Sequence, residues 1–150
     1  EGIVMAKVLA VNISEKKGVP KKAIAKGYFE PNHGLCGDAH AADWHRQVSL
    51  LGNESIEKIR KAGLLDIEVG RFAENITTEG IILYELPLGT KLKIGETIME
   101  ITQIGKECHG GCAIKRQVGD CVMPREGVFA KVLEPGWVQA GDQIEVLEKN

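Results

Sequence analysis

Eighteen glycines cut the apolar residues of this chain into short runs. Glycine turns the backbone through positive φ without steric cost, so a chain punctuated this often favours short strands and tight turns over long helices. The runs between the glycines are rich in Val, Ile and Leu. Aromatic residues make up only 5% of the chain, so the core has to be aliphatic. With 150 residues the chain suits one domain, able to bury most of its apolar surface without cross-links.

Read along its length, the chain opens with a β-branched run, Ile3–Ile13, expected to be a buried strand. A polar turn at Lys16–Pro20 leads to a second strand, Ala23–Phe29, ended by Pro31-Asn32-His33-Gly34. Gly34–Trp44 reads as a loop dense in Gly, His and Asp, and Gln47–Leu51 as a short strand. The helix signal is at Glu54–Ala62, with Asn53 as N-cap, cations near its end and Gly63 as its stop. Its apolar side is only Ile56, Ile59 and Ala62, enough to cover a flank. Strand signals then return at Ala73–Thr78, Lys91–Ile94, Thr97–Ile104, Gly127–Leu133 and Gln143–Leu147. The stretches Gly89–Ile98 and Gly136–Ile144 share a pattern of strand, Gly-Glu or Gly-Asp turn, and strand, which predicts the same hairpin twice. The expected class is mainly β: a single domain, a closed barrel-like fold or a sandwich closed on itself, with one short helix and room for others.

Charge and hydropathy narrow the partners. A net charge of -2 with no basic block argues against nucleic acid, and no apolar run is long enough to span a bilayer as a helix. Glu1–Val4 lacks the features of a secretion signal and reads as a linker ahead of Met5, which puts the domain at residues 5–150. The expectation is a cytoplasmic protein with its four cysteines reduced.

The densest chemistry lies between Gly105 and Cys121. Cys108 and His109 enter a Gly110-Gly111 loop, with Cys112 and Cys121 following and Lys106, Lys115, Arg116 and Arg125 close in sequence. Cationic neighbours lower the pKa of a thiol, and the thiolate is both nucleophile and soft metal ligand. Each cysteine has a plainer reading as a small buried hydrophobe, strongest for the isolated Cys36 and for Cys121 beside Val122 and Met123. A structural zinc held by Cys108, Cys112, Cys121 and a histidine is the rival, although a second close cysteine pair is missing. Two further groups are candidates. In Asp38-Ala39-His40, acid and imidazole stand two apart on a loop, suited to proton transfer, to a polar ligand, or merely to a turn and solvent. In Glu74-Asn75, the side chains suit a pocket, or Asn75 suits the backbone at a strand start. Dinucleotide, Walker and His-Glu-x-x-His motifs are absent from the sequence.

Six stretches in order resemble the MOSC domain, the C-terminal domain of molybdenum cofactor sulfurases and its stand-alone bacterial relatives. They are Gly37–His40, His45–Leu51, Gly70–Ile76, Leu88–Gly95, Gln103–His109 and Gly119–Phe129. The resemblance, from about Lys7 to Val146, implies a closed β-barrel-like fold and association with the molybdenum cofactor (molybdopterin). It implies that Cys108, with His109 beside it, carries sulfur or ligates molybdenum; Cys112 and Cys121, which this chain carries besides, are weaker candidates. Asp38, His40, Glu74 and Asn75 look like walls of the family's pocket, and Arg46 or Arg125 suits an anionic pterin phosphate. The chain lacks the pyridoxal-phosphate domain with which sulfurases mobilise sulfur, so a sulfur donor or a molybdoenzyme is an expected partner. Sulfur transfer, cofactor-dependent catalysis and simple binding of the cofactor or its enzyme are all compatible with these residues.

Overall fold

The protein is represented by a computed structural model that describes residues 6–106 and 123–147. Its strands are β1 (Ala6–Ile13), β2 (Lys22–Ile24), β3 (Lys26–Glu30), β4 (Gly34–Leu35), β5 (Val48–Gly52), β6 (Ile76–Glu79), β7 (Lys91–Ile94), β8 (Thr97–Ile104), β9 (Val128–Glu134), β10 (Gly136–Gln139) and β11 (Gln143–Val146). The helices are α1 (Asn53–Lys61) and the single turn α2 (Met123–Glu126), with a 3-10 turn at Leu83–Glu85. Seven strands close into a barrel in the order β11-β7-β8-β9-β5-β6-β1, with β1 pairing back onto β11. Closure leaves no open edge among those seven strands. β2 hangs on the end of β1, and β10-β3-β4 form a second, three-stranded sheet.

The barrel is filled as period-2 strands require. Along β8, Thr97, Met99 and Ile101 face inward and alternate with half-buried neighbours; along β7, Leu92 and Ile94 face inward on either side of the exposed Lys93. The interior is aliphatic, with Val8, Val11, Leu50, Ile76, Leu92, Ile94, Met99 and Ile101 essentially inaccessible and Phe29 the aromatic member of the cluster. A second cluster (Leu51, Ile56, Ile59, Ile67, Phe72 and Phe129) seats α1 on the barrel wall. The helix therefore covers a flank, as its narrow apolar side implies.

Several boundaries differ from the sequence expectation, each for a local reason. Asn53 is the first helical residue, not the cap, because its Oδ1 accepts from Arg60 Nη1 at 3.0 Å. Gly63 does end the helix, at φ 130°, with Leu64 N–H closing onto Ile59 O. The Ala23–Phe29 run divides at Ala25 into two strands that serve different sheets. Ala73 has φ 64°, so the next strand starts only at Ile76. Gly89–Ile98 does contain a hairpin, in which Ile94 faces Thr97 across Gly95-Glu96. The second expected hairpin does not form. β10 pairs with β3 whereas β11 pairs with β7 and β1, because Gly141 N–H and Asp142 O bond to Val8 and turn the chain into the barrel. Among the described residues, no helix is long and apolar enough to cross a membrane.

Candidate functional site

Four loops converge at one end of the barrel, and a buried lysine organises them. Lys21 follows Pro20 just before β2, and its side chain has no exposed area. Its Nζ lies 2.8 and 3.1 Å from the two Asp38 oxygens, 3.0 Å from Ser14 Oγ and 3.0 Å from His40 Nδ1. Asp38 also accepts the backbone N–H groups of Ser14 and His40, both at 3.1 Å. Burial by itself would raise the Asp38 carboxyl. The Lys21 ammonium, the Ser14 N–H and the Asn75 side chain outweigh it and hold the group below the usual carboxylate range. Burial, and then the Lys21 charge, push the His40 imidazole below its ordinary value; Asp38 opposes them, and Lys17 and Lys106 add to them.

In front of His40 is a cavity of about 130 Å³ lined by His40, Trp44, Arg46, Ser49, Phe72, Ala73, Asn75, Lys106 and Phe129. The Arg46 guanidinium carbon lies 5.2 Å from the ring centroids of both Trp44 and Phe129. At these distances the cation is attracted to both rings. Arg46 Nε is buried and has no hydrogen-bond partner among the described residues. Trp44 Nε1–H donates to His40 O at 3.3 Å and ties the aromatic wall to the histidine. Asn75 is held firmly: its Oδ1 accepts Ser49 N–H at 3.0 Å and Ser49 Oγ at 3.1 Å. No carboxylate lines the cavity among the described residues, so its field is that of cations and N–H donors.

Glu74 takes a different place from its neighbour Asn75. It is fully buried; its carboxylate accepts Gly70 N–H at 2.8 Å, Thr77 Oγ1 at 2.7 Å and Phe72 N–H at 3.2 Å. Burial pushes this carboxyl up, against the donors that favour the anion. Glu74 thus shapes the 70–73 loop from behind and does not line the cavity. In Glu74→Gln the amide NH₂ turns a donor toward donors, leaving at least one without an acceptor. The expected loss is about 1–3 kcal/mol, read as a lower urea midpoint. An unchanged midpoint would show that the carboxylate does not hold the loop.

Of the residues singled out in the sequence, His40, Arg46, Asn75 and the cation Lys106 meet at the cavity, with Asp38 one layer behind through Lys21. Arg125 is exposed on α2 and is not part of the lining. Cys36 has its thiol pushed up by burial and by Glu30, the opposite of activation. Cys108, His109, Cys112 and Cys121 lie outside the described residues, and with them the zinc alternative. Among the described residues no three His, Cys, Asp or Glu side chains gather to hold a metal. The stems of the 107–122 segment are described, however, and they meet each other: Lys106 N–H donates to Pro124 O at 2.9 Å and Gly105 N–H to Gly127 O at 2.6 Å. Gly105, at φ 75°, has no room for a Cβ against the Pro124 carbonyl. Lys58 braces the returning stem through Glu126 Oε2 at 2.7 Å. Sequence reasoning missed Lys21 altogether; one of two lysines after a proline carries no signal of burial.

The comparisons agree with this architecture. The YUAD protein from Bacillus subtilis superposes with a TM-score of 0.79 at 21% identity, covering 95% of each chain. YiiM from Geobacillus stearothermophilus gives 0.72 at 17% identity, over 95% of this chain and 75% of that one, and YiiM from Escherichia coli 0.66 at 16%, over 96% and 71%. At such identities these likenesses establish the fold alone. No curated protein matches the chain significantly. A family model described as the MOSC domain matches residues 37–145, and that family is associated generally with the molybdenum cofactor. The match spans most of the barrel together with the loops that carry His40, Arg46, Asn75 and Lys106, so the chain belongs to the MOSC domain family.

Proposed function

We propose that this domain binds the molybdenum cofactor through its anionic end, in the cavity of His40, Arg46, Asn75 and Lys106, with Cys108 as its reactive thiolate. The observation that carries the reading is the buried Arg46 Nε without a partner, beside Lys106 and in a lining free of carboxylates. A buried guanidinium N–H left unpaired is costly, and an oxyanion satisfies it. A space of about 130 Å³ accepts a phosphate-sized group. It is smaller than the roughly 300–1000 Å³ that encloses a drug-sized ligand. The described residues therefore provide for one end of the cofactor only.

Each side chain has a defined task in this reading. Arg46, held near the Trp44 and Phe129 rings, offers its guanidinium to the anion, and Lys106 adds charge at the stem. Asn75, locked by Ser49, forms a rigid wall. Cys108 follows Lys106 by two residues, a span of about 7 Å at most in extended chain. Bound cofactor would supply a metal centre for thiolate ligation or sulfur exchange. His109 and the cations near Cys108 favour its thiolate form. Cys112 and Cys121 are secondary candidates for the same role, and Asp38 and Glu74 support the site from behind. A sulfur donor or a molybdoenzyme is the natural partner.

Native mass spectrometry after incubation with the cofactor tests this. The expected result is an added molybdenum–pterin mass, lost on denaturation. Arg46→Gln should bind about 10–100-fold more weakly, the worth of a hydrogen bond to a charged group. Cys108→Ser should keep the fold and lose thiolate-dependent retention of the metal or of a persulfide sulfur. A bare polypeptide mass at saturating cofactor, or equal binding by Arg46→Gln, would overturn the reading.

A further inference from the structure

The Asp38–Lys21–His40 chain determines what the cavity is offered. An ammonium has three N–H donors and no lone pair, so whatever lies 3.0 Å from Lys21 Nζ along a hydrogen bond must be an acceptor. Asp38 and Ser14 meet that demand with oxygen, and His40 meets it with Nδ1. A ring nitrogen that accepts carries no proton, so the neutral imidazole holds its proton on Nε2. The alternative partner for Nδ1 is Asp38 Oδ2. It is 4.0 Å away, beyond hydrogen-bond range, and is already engaged by Lys21 Nζ and the His40 backbone N–H. Because the Lys21 side chain is wholly buried, water is not at hand to replace the ring as its acceptor. His40 is a third exposed at its side chain and lines the cavity, and with Nδ1 taken by Lys21 its Nε2 is the ring nitrogen left for a ligand.

We infer that Lys21 is a positioning residue of this site: it fixes His40 as the Nε2–H tautomer, so that the cavity receives a neutral hydrogen-bond donor. This rests on the cofactor reading above for its ligand and extends it to the ligand's chemistry. The atom that meets His40 is then a hydrogen-bond acceptor, such as an oxygen of a phosphate or of a metal oxo group. A proton on Nε2 removes the lone pair that a general base or a metal ligand would need there. The charged groups around the ring act together on it. Lys21, Lys17 and Lys106 oppose a second positive charge, Asp38 favours one, and Arg46 on the same cavity adds to the cationic side.

The test is imidazole nitrogen NMR on the cofactor-free protein across a pH series. His40 is assigned among the four histidines by its loss in His40→Phe. The expected wild-type pattern is an unprotonated Nδ1 and a protonated Nε2, titrating below an ordinary histidine. In Lys21→Met, Asp38 inherits the ring. Nδ1 should become the protonated nitrogen and the midpoint should rise above that of the wild type. In Lys21→Met/Asp38→Leu both partners are gone, and the midpoint should fall back. A wild-type ring protonated on Nδ1 overturns the inference whether or not the variants fold, and so does a Lys21→Met ring with unchanged pattern and midpoint. Cofactor binding is measured separately. An Nε2–H ring in a protein that binds no cofactor refutes only the binding reading, and a cofactor-binding protein with an Nδ1–H ring refutes only the inference.

Discussion

Lys21→Met is expected to lower the unfolding free energy by about 3–5 kcal/mol, because it leaves the Asp38 carboxylate buried without its cation. For a domain of this size the loss corresponds to a fall in Tm of roughly 6–20 °C. Removing both charges should be far milder. In Lys21→Met/Asp38→Leu no uncompensated charge remains, and the double variant is expected to be more stable than Lys21→Met alone. The effect should also depend on pH, in a direction set by His40. In the wild type the folded imidazole is held below its ordinary 6.5. As pH falls through that value the unfolded chain takes up a proton that the folded protein resists, and wild-type stability declines. In Lys21→Met the opposition of the Lys21 charge is gone while Asp38 remains, so the folded His40 moves back up and less stability is lost as pH falls. The two stabilities should therefore approach each other at pH 6 and separate at pH 8. Urea unfolding at both pH values measures this. Equal gaps at the two pH values, or additive single and double variants, would mean that Lys21, Asp38 and His40 do not act as one unit.

Gly70→Ala is the second large effect, expected at roughly 2–5 kcal/mol from left-handed strain combined with backbone overlap. Gly70 has φ +83°, and a Cβ there would run into the carbonyl of Lys21, with the Asn12 side chain at 3.3 Å. The two residues are already bonded, since Lys21 N–H donates to Gly70 O at 2.8 Å. Gly70 N–H in turn donates to Glu74. The substitution thus pushes on the backbone that carries the buried ammonium, and the His40 nitrogen pattern should change along with stability. Gly18→Ala is the control. Gly18 has nearly the same φ, +80°, but nothing lies within 4 Å of the position a Cβ would take. Its loss should be confined to the strain of about 1–2 kcal/mol. If the two variants unfold at the same urea concentration, close approach to Lys21 contributes nothing and the role given to Gly70 is wrong.

The sequence by itself determined the class of fold, because alternation and turn chemistry are local. The inward Thr97, Met99 and Ile101 of β8, the hairpin at Gly95-Glu96, the flank helix with Ile56 and Ile59, and its Gly63 stop all follow from residues a few positions apart. The order of motifs along the chain likewise identified the family, and put His40, Arg46 and Asn75 among the residues to watch. Pairing between distant strands was beyond that reach. β10 and β11 looked like a hairpin, and only the bonds from Gly141 and Asp142 to Val8 separate them into two sheets. The same holds for neighbouring polar side chains. Glu74 and Asn75 read alike in sequence, yet one holds the backbone of its own loop and the other faces the cavity, because consecutive residues point in different directions. Lys21 is the sharpest case. Beside Lys22 in a polar turn it looks solvated, and its meaning comes from Ser14, Asp38 and His40, which reach it from 7, 17 and 19 residues away. Only the closed barrel brings those groups around one ammonium, out of reach of water.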